Sequence, residues 1–260
     1  MKRRDFLAAA GLAGLAPLGS LAAAQAAGPP DGKDLYELRL YVIESPEKQK
    51  AMEAFFCEAA IPALGRIGIG PVGVFKTAEE PSPNLFVLLP HKSLESVATA
   101  GAKLMADKEF LKAGAAVLDA PPKDPAYKRI ESSLLLAFDG VPKLQVPTTK
   151  DSRILQLRTY ESHNAKKALK KIEMFNTGGE LDVFRKVGLP VVFFGQALIG
   201  TKLPNLTYMV AFDDEEAKEK GWKGFMAAPG WLKLKGDPQY KDTVSNITNI
   251  VLRPAAGSQI

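Results

Sequence analysis

The sequence is poor in the residues from which catalytic and metal sites are most often built. A single cysteine, Cys57, stands in 260 residues, so no disulfide can form within the chain. It lies in Ala54-Phe-Phe-Cys-Glu-Ala-Ala60, an apolar run where a buried core thiol is the expectation. There are two histidines, His91 and His163, each at the end of a predicted strand, where a surface or helix-capping place is expected. H-E-x-x-H, C-x-x-C and carboxylates at ligand spacing are all missing, which argues against a built-in zinc site. No G-x-S-x-G elbow occurs, and Gly178-Gly-Glu is too short for a phosphate-cradling loop. Tryptophan occurs twice, at Trp222 and Trp231, and core packing is the expected role of both. Charge is mild, at +5, with no basic block interleaved with aromatics, so nucleic acid is not an expected partner. Lys166, Lys167, Lys170 and Lys171 cluster at helical spacing and read as a solvated face.

The N-terminus carries a different signal. Met1-Lys-Arg-Arg-Asp-Phe-Leu7 sets paired arginines before a weakly apolar run that Gly11, Gly14 and Pro17 interrupt, and Ala24-Gln-Ala26 follows as a cleavage site. The pattern resembles a twin-arginine export signal over residues 1–27, which predicts a periplasmic protein. A retained anchor is the alternative, since the run is near the short limit for a bilayer span; no later segment is long and apolar enough to be one. Removing residues 1–26 lowers the charge from +5 to +3. Composition, at 46% hydrophobic and 24% charged, is that of a globular protein.

Beyond a lead-in at 28–34, the chain says the same thing twice. Leu35-Tyr-Glu-Leu-Arg-Leu-Tyr-Val42 returns as Ile154-Leu-Gln-Leu-Arg-Thr-Tyr-Glu161, so that Arg39 and Tyr41 align on Arg158 and Tyr160. Pro71 aligns on Pro190, Pro83-Asn-Leu85 on Pro204-Asn-Leu206, and Asp124-Pro-Ala-Tyr-Lys128 on Asp237-Pro-Gln-Tyr-Lys241. Ordered recurrence of this kind marks tandem repeats, here 35–140 and 153–254 with a proline-bearing linker at 141–152. β-Branched and aromatic runs predict strands at 35–43, 72–77, 85–89 and 132–138, then 153–161, 191–197, 206–212 and 247–252. Ser45-Pro46, Ser93, Asn164 and Asp213-Asp214 mark helix starts, Pro62 a kink, and Gly178-Gly179 a break. Each repeat is thus β-α-β-β-α-β, the ferredoxin-like order, and the tail after Pro254 is expected to fray.

These residues resemble the NIPSNAP family. The likeness sits in the strands around Arg39 and Arg158, in Gly188-Leu-Pro-Val-Val-Phe-Phe-Gly195, in Leu203-Pro-Asn-Leu-Thr-Tyr-Met209 and in Trp222-Lys-Gly-Phe225. The second repeat carries it well; the first is a weaker copy, with no tryptophan and with Val74-Phe-Lys where Phe193-Phe-Gly stands. The resemblance implies an α+β fold, in which tandem ferredoxin-like sheets pack face to face as a dimeric α/β-barrel. It leaves the activity open, since the same fold serves haem-degrading monooxygenases, small isomerases and stress-responsive barrels.

Alternation divides each first strand into two faces. Tyr36, Leu38 and Leu40 suit contact with helices, as do Leu155, Leu157 and Thr159. Glu37, Arg39 and Tyr41, with Gln156, Arg158 and Tyr160, are then expected to face the partner sheet and line an inter-sheet chamber. Together with His163 these are the candidate ligand-binding residues; no catalytic residue is singled out. Two guanidinium forks near a pseudo-twofold axis could clamp an anion. Alternatively each arginine pairs with a local carboxylate, such as Glu37 or Glu161, and pins the sheets. Two functions follow: an exported protein that binds a small anionic or aromatic ligand or a protein partner, or a monooxygenase- or isomerase-like enzyme that could use a haem or flavin. The sequence names no cofactor. The linker permits closure within one chain, the favoured arrangement, or exchange within a homo-oligomer.

Overall fold

The computed structural model describes residues 32–79 and 82–260, so the predicted export signal lies outside the described residues. The first repeat supplies β1 (Leu35–Val42), β2 (Gly73–Thr77), β3 (Leu85–His91) and β4 (Arg129–Ala137). The second supplies β5 (Ile154–Glu161), β6 (Val191–Ile199), β7 (Asn205–Phe212) and β8 (Asn246–Pro254). Each predicted strand is present, with shifts of a few residues at its ends. Within a repeat the third strand inserts between the first and second, and the fourth pairs on the first strand's other edge, all antiparallel. The two sheets then join through β2–β8 and β4–β6, closing a barrel in the order β1-β3-β2-β8-β5-β7-β6-β4 within one chain. Closure removes every sheet edge.

Helices cover the outside. In the first repeat they are α1 (Pro46–Phe55), α2 (Ile61–Arg66), α3 (Leu94–Met105), α4 (Lys108–Ala113) and α5 (Ala115–Leu118). In the second they are α6 (Ala165–Asn176), α7 (Glu180–Val187), α8 (Glu215–Ala227) and α9 (Pro229–Gly236). The predicted caps operate: Ser45, Ser93, Asn164 and Asp214 each accept a hydrogen bond from a backbone N–H in the first turn. Pro62 has no N–H for the Glu58 carbonyl, and the turn before it, Phe56–Ala60, widens to π-helical bonding, with Ile61 N–H reaching Phe56 O. Gly179, at φ +100°, separates α6 from α7, a conformation that glycine adopts without Cβ strain.

Three expectations are corrected. Cys57 is exposed, not buried: Met52, Phe56, Ala59 and Ala60 form the inward face of that helix, and Cys57 and Glu58 point away from it. The tail does not fray. Ala255 and Ile260 are buried, Gln259 and Ser258 hydrogen-bond to Val72 and Val74, and the Arg153 guanidinium donates to the Ile260 carbonyl.

The third correction inverts the strand faces. Tyr36, Leu88, Leu135, Leu155, Leu157, Phe193, Met209 and Leu252 share one buried cluster drawn from both sheets, which is the barrel interior. Tyr41 instead packs with Met52, Phe56 and Leu64 beneath the first repeat's helices. Tyr160 packs with Phe175, Phe184 and Trp222 beneath the second's. The arginines therefore lie in the helix–sheet layers, outside the barrel wall. The physical reason is enclosure. Eight strands leave an interior that side chains alone can fill, so the more apolar face turns inward. The helix layers open to water along their margins, where a charged group keeps part of its hydration.

Candidate functional site

The interior is not filled from end to end. At the end where the tail folds in, Phe75, Leu252 and Ile260 belong to the packed core. Toward the other end lies a cavity of about 220 Å3, bordered by Leu38, Leu40, Phe86, Leu157 and Ile250. Its wall carries hydroxyls and one amide: Thr159 and Thr207 stand 3.0 Å apart through their Oγ1 atoms, and the Thr207 hydroxyl donates to Asn205 Oδ1 at 3.2 Å, while the charged groups stand at the rim. The loop between β6 and β7 reaches across the mouth, with Lys202 Nζ bonded to Thr248 Oγ1 at 3.0 Å and Glu131 also on the rim. Such a space suits a compact, mostly apolar molecule carrying a hydroxyl or carbonyl.

Outside the wall, the first repeat holds a closed charge cluster. Arg39 donates through Nε and Nη2 to the two carboxylate oxygens of Glu37, both at 2.7 Å. Ser132 Oγ donates to Glu37 at 2.9 Å, and His91 Nε2 lies 3.5 Å away. Burial pushes the Glu37 carboxyl up, but the nearby His91 imidazole and the hydrogen bonds from Arg39 and Ser132 outweigh it and hold the group at about 2. His91, expected at the surface, is fully buried, and its Nδ1 is 2.9 Å from Ser96 Oγ. Here the predicted arginine is pinned by its neighbour two residues before it.

The second repeat differs at the matching place. Gln156 stands where Glu37 does, and its Oε1 accepts from Trp222 Nε1. The Arg158 guanidinium lies over the Trp222 ring at 4.9 Å and the Tyr160 ring at 5.6 Å. Tyr160 Oη is 3.1 Å from Tyr208 Oη, and burial pushes both phenols up. Behind them Lys171 Nζ meets Glu180 Oε2 at 2.6 Å, both nearly inaccessible, with the ammonium 4.5 Å from the Phe175 ring centre. Burial pushes the Glu180 carboxyl up, and Lys171 and Arg158 pull against it. Lys171 thus departs from the solvated face predicted for the lysine cluster. His163 is exposed, in the turn after β5.

A model of the NIPSNAP family matches residues 36–136 and again 155–259. The chain belongs to the NIPSNAP family. No curated protein matches it. Among solved structures, this NIPSNAP protein resembles a candidate monooxygenase of Fusobacterium nucleatum subsp. nucleatum at 7% identity and TM-score 0.58, covering 86% of this chain and 94% of that one. A candidate monooxygenase of Lactobacillus acidophilus gives 9% identity and TM-score 0.58 over 86% and 94%. An anthrone oxidase-like protein gives 13% and 0.50 over 86% and 92%. At such identities the likeness is one of fold.

Of the residues predicted to bind a ligand in this NIPSNAP barrel, the structure gathers Arg158, Tyr160 and Gln156 around Trp222. It sets Glu37, Arg39 and Tyr41 in the first repeat's helix layer and leaves His163 apart. Sequence reasoning missed Thr207, Phe86 and Ile250 at the cavity, and Lys171 with Glu180 beneath the helices. Alternation had set Leu157 and Thr159 on one face, but which neighbours meet them depends on register, Thr159 facing Thr207 and Thr248.

Proposed function

We propose that this NIPSNAP protein is an exported binder of a small, largely apolar molecule, held in the open end of the barrel. The observation that carries the reading is the cavity of about 220 Å3 between Leu38, Leu40, Phe86, Leu157 and Ile250, with the Thr159–Thr207 hydroxyl pair on its wall. Drug-sized ligands occupy pockets of about 300–1,000 Å3, so this one suits a single-ring phenol or a molecule of that bulk. The apolar walls supply the driving force and the hydroxyls fix orientation. An enzymatic reading rests on likeness to candidate monooxygenases, and a fold alone carries no activity.

The test uses 4-fluorophenol followed by fluorine NMR. The wild-type protein should give saturable broadening, which Ile250→Trp abolishes by filling the space without lowering the melting temperature. Thr159→Val should weaken binding about tenfold by removing one hydroxyl, the scale of one hydrogen bond. Equal binding by Ile250→Trp, or no saturable binding by the wild type, would sink the proposal. Export rests on Arg3-Arg4 and Ala24-Gln-Ala26. Replacing both arginines by lysine should leave the uncleaved precursor in the cytoplasm; unchanged processing would refute it.

A further inference from the structure

The two repeats place an arginine at the same point of the same strand, and only one of them is neutralised. Arg39 is gripped by both oxygens of Glu37. At Arg158 the corresponding residue is Gln156, which carries no charge and is turned to the indole of Trp222. Among the described residues no carboxylate forms an ion pair with Arg158. Its Nε is buried without a hydrogen-bond partner. A guanidinium cannot discharge itself by losing its proton, and a buried donor left unmade is costly.

The surroundings reinforce the imbalance. Lys171 and Glu180 cancel one another at 2.6 Å, so the cluster of Arg158, Lys171 and Glu180 retains one positive charge. The rings of Trp222 and Tyr160 hold the guanidinium and keep part of its shell dry. Access exists from one side. On β7 the residue opposite Arg158 is the buried Tyr208, whereas on β8 it is Asn249, which is exposed, as is Ile247 beside it. Helices α6 and α8 pack over β7, and the exposure of Asn249 and Ile247 marks the β8 side as the open one.

We infer that Arg158, with Tyr160 and Trp222, forms a binding site for a small monocarboxylate with an apolar body, on the outer face of the second sheet. It is separate from the barrel cavity, and the first repeat is its internally blocked copy. A planar carboxylate matches the fork that Glu37 fills in the first repeat, and its single charge matches the single excess charge of the cluster. Phosphate, with higher charge and no apolar surface, fits the aromatic margin less well.

Because Trp222 touches the guanidinium, its emission reports occupancy. Purified protein carrying Trp231→Phe, with Trp222 as its reporter, would be titrated with benzoate and, separately, with inorganic phosphate. Benzoate should produce a saturable change and phosphate none. Gln156→Glu should weaken benzoate binding at least tenfold, since it supplies the carboxylate that closes the first repeat's arginine while keeping an acceptor for Trp222. Glu37→Gln, which frees Arg39, should raise the number of benzoate sites from one to two by equilibrium dialysis. Undiminished binding in Gln156→Glu, phosphate binding without benzoate binding, or no saturable change in the parent would each overturn the assignment. Since the site lies outside the barrel, Ile250→Trp should leave benzoate binding unaltered.

Discussion

At the scale of single residues, one exchange separates the two halves of the molecule: glutamate at 37, glutamine at 156. Both repeats keep the strand, the arginine and the tyrosine, so the exchange changes charge while the backbone path persists. In the first repeat it produces a stabilising cluster with a defined pH dependence. The Glu37 carboxyl, ordinarily near 4.5, is held at about 2 in the folded chain, so the unfolded chain takes up its proton first. The stabilisation is complete above about pH 5 and is lost as pH falls toward 2. A shift of that size corresponds to about 3 kcal/mol. Urea unfolding of Glu37→Gln should therefore show a deficit of about that size at pH 7 which narrows by pH 3. A deficit independent of pH would mean that packing, not ionisation, carries the effect.

At the scale of elements, the buried Lys171–Glu180 pair ties α6 to α7 across the glycine break at 178–179. Removing one partner leaves the other buried and unpaired, which costs about 3–5 kcal/mol, whereas replacing both with apolar residues is often neutral. Lys171→Met alone should thus lower stability by about 3 kcal/mol, and Lys171→Met with Glu180→Leu should recover most of it. Chemical denaturation of the single and double variants measures the coupling. Losses that simply add would show that each side chain acts by itself. The same elements explain why helix stripes were only partly legible. Leu169 has helical spacing with Ile172 yet is exposed, because α6 buries the side of Ala168, Lys171 and Phe175.

At the scale of the whole molecule, closure of the barrel decides what each strand face does. A single four-stranded sheet would leave Tyr36, Leu38, Leu88 and Leu135 in water on one side and its helices on the other. Joining β2 to β8 and β4 to β6 encloses that face twice over. The C-terminal residues complete the packing at one end, through Ile260, and the cavity lies toward the other.

Sequence by itself determined the repeat, the strands, the helix caps and the ferredoxin-like order of each half. These follow from local chemistry: β-branched and aromatic runs, side-chain caps, prolines and glycines act within a few residues. It also marked Arg158, Tyr160 and Gln156 as residues of interest, because a repeated motif is visible without a fold. Only tertiary structure decided which face of the strand they share. Alternation gives two faces but no sign, and the sign depends on which surface the closed barrel leaves dry. The same holds for Lys171, a lysine among lysines until α7 brings Glu180 against it, and for Thr207, which becomes part of a cavity wall only when β7 pairs with β5. Contacts between residues far apart in the chain carry no local signature, and the fold alone assembles them.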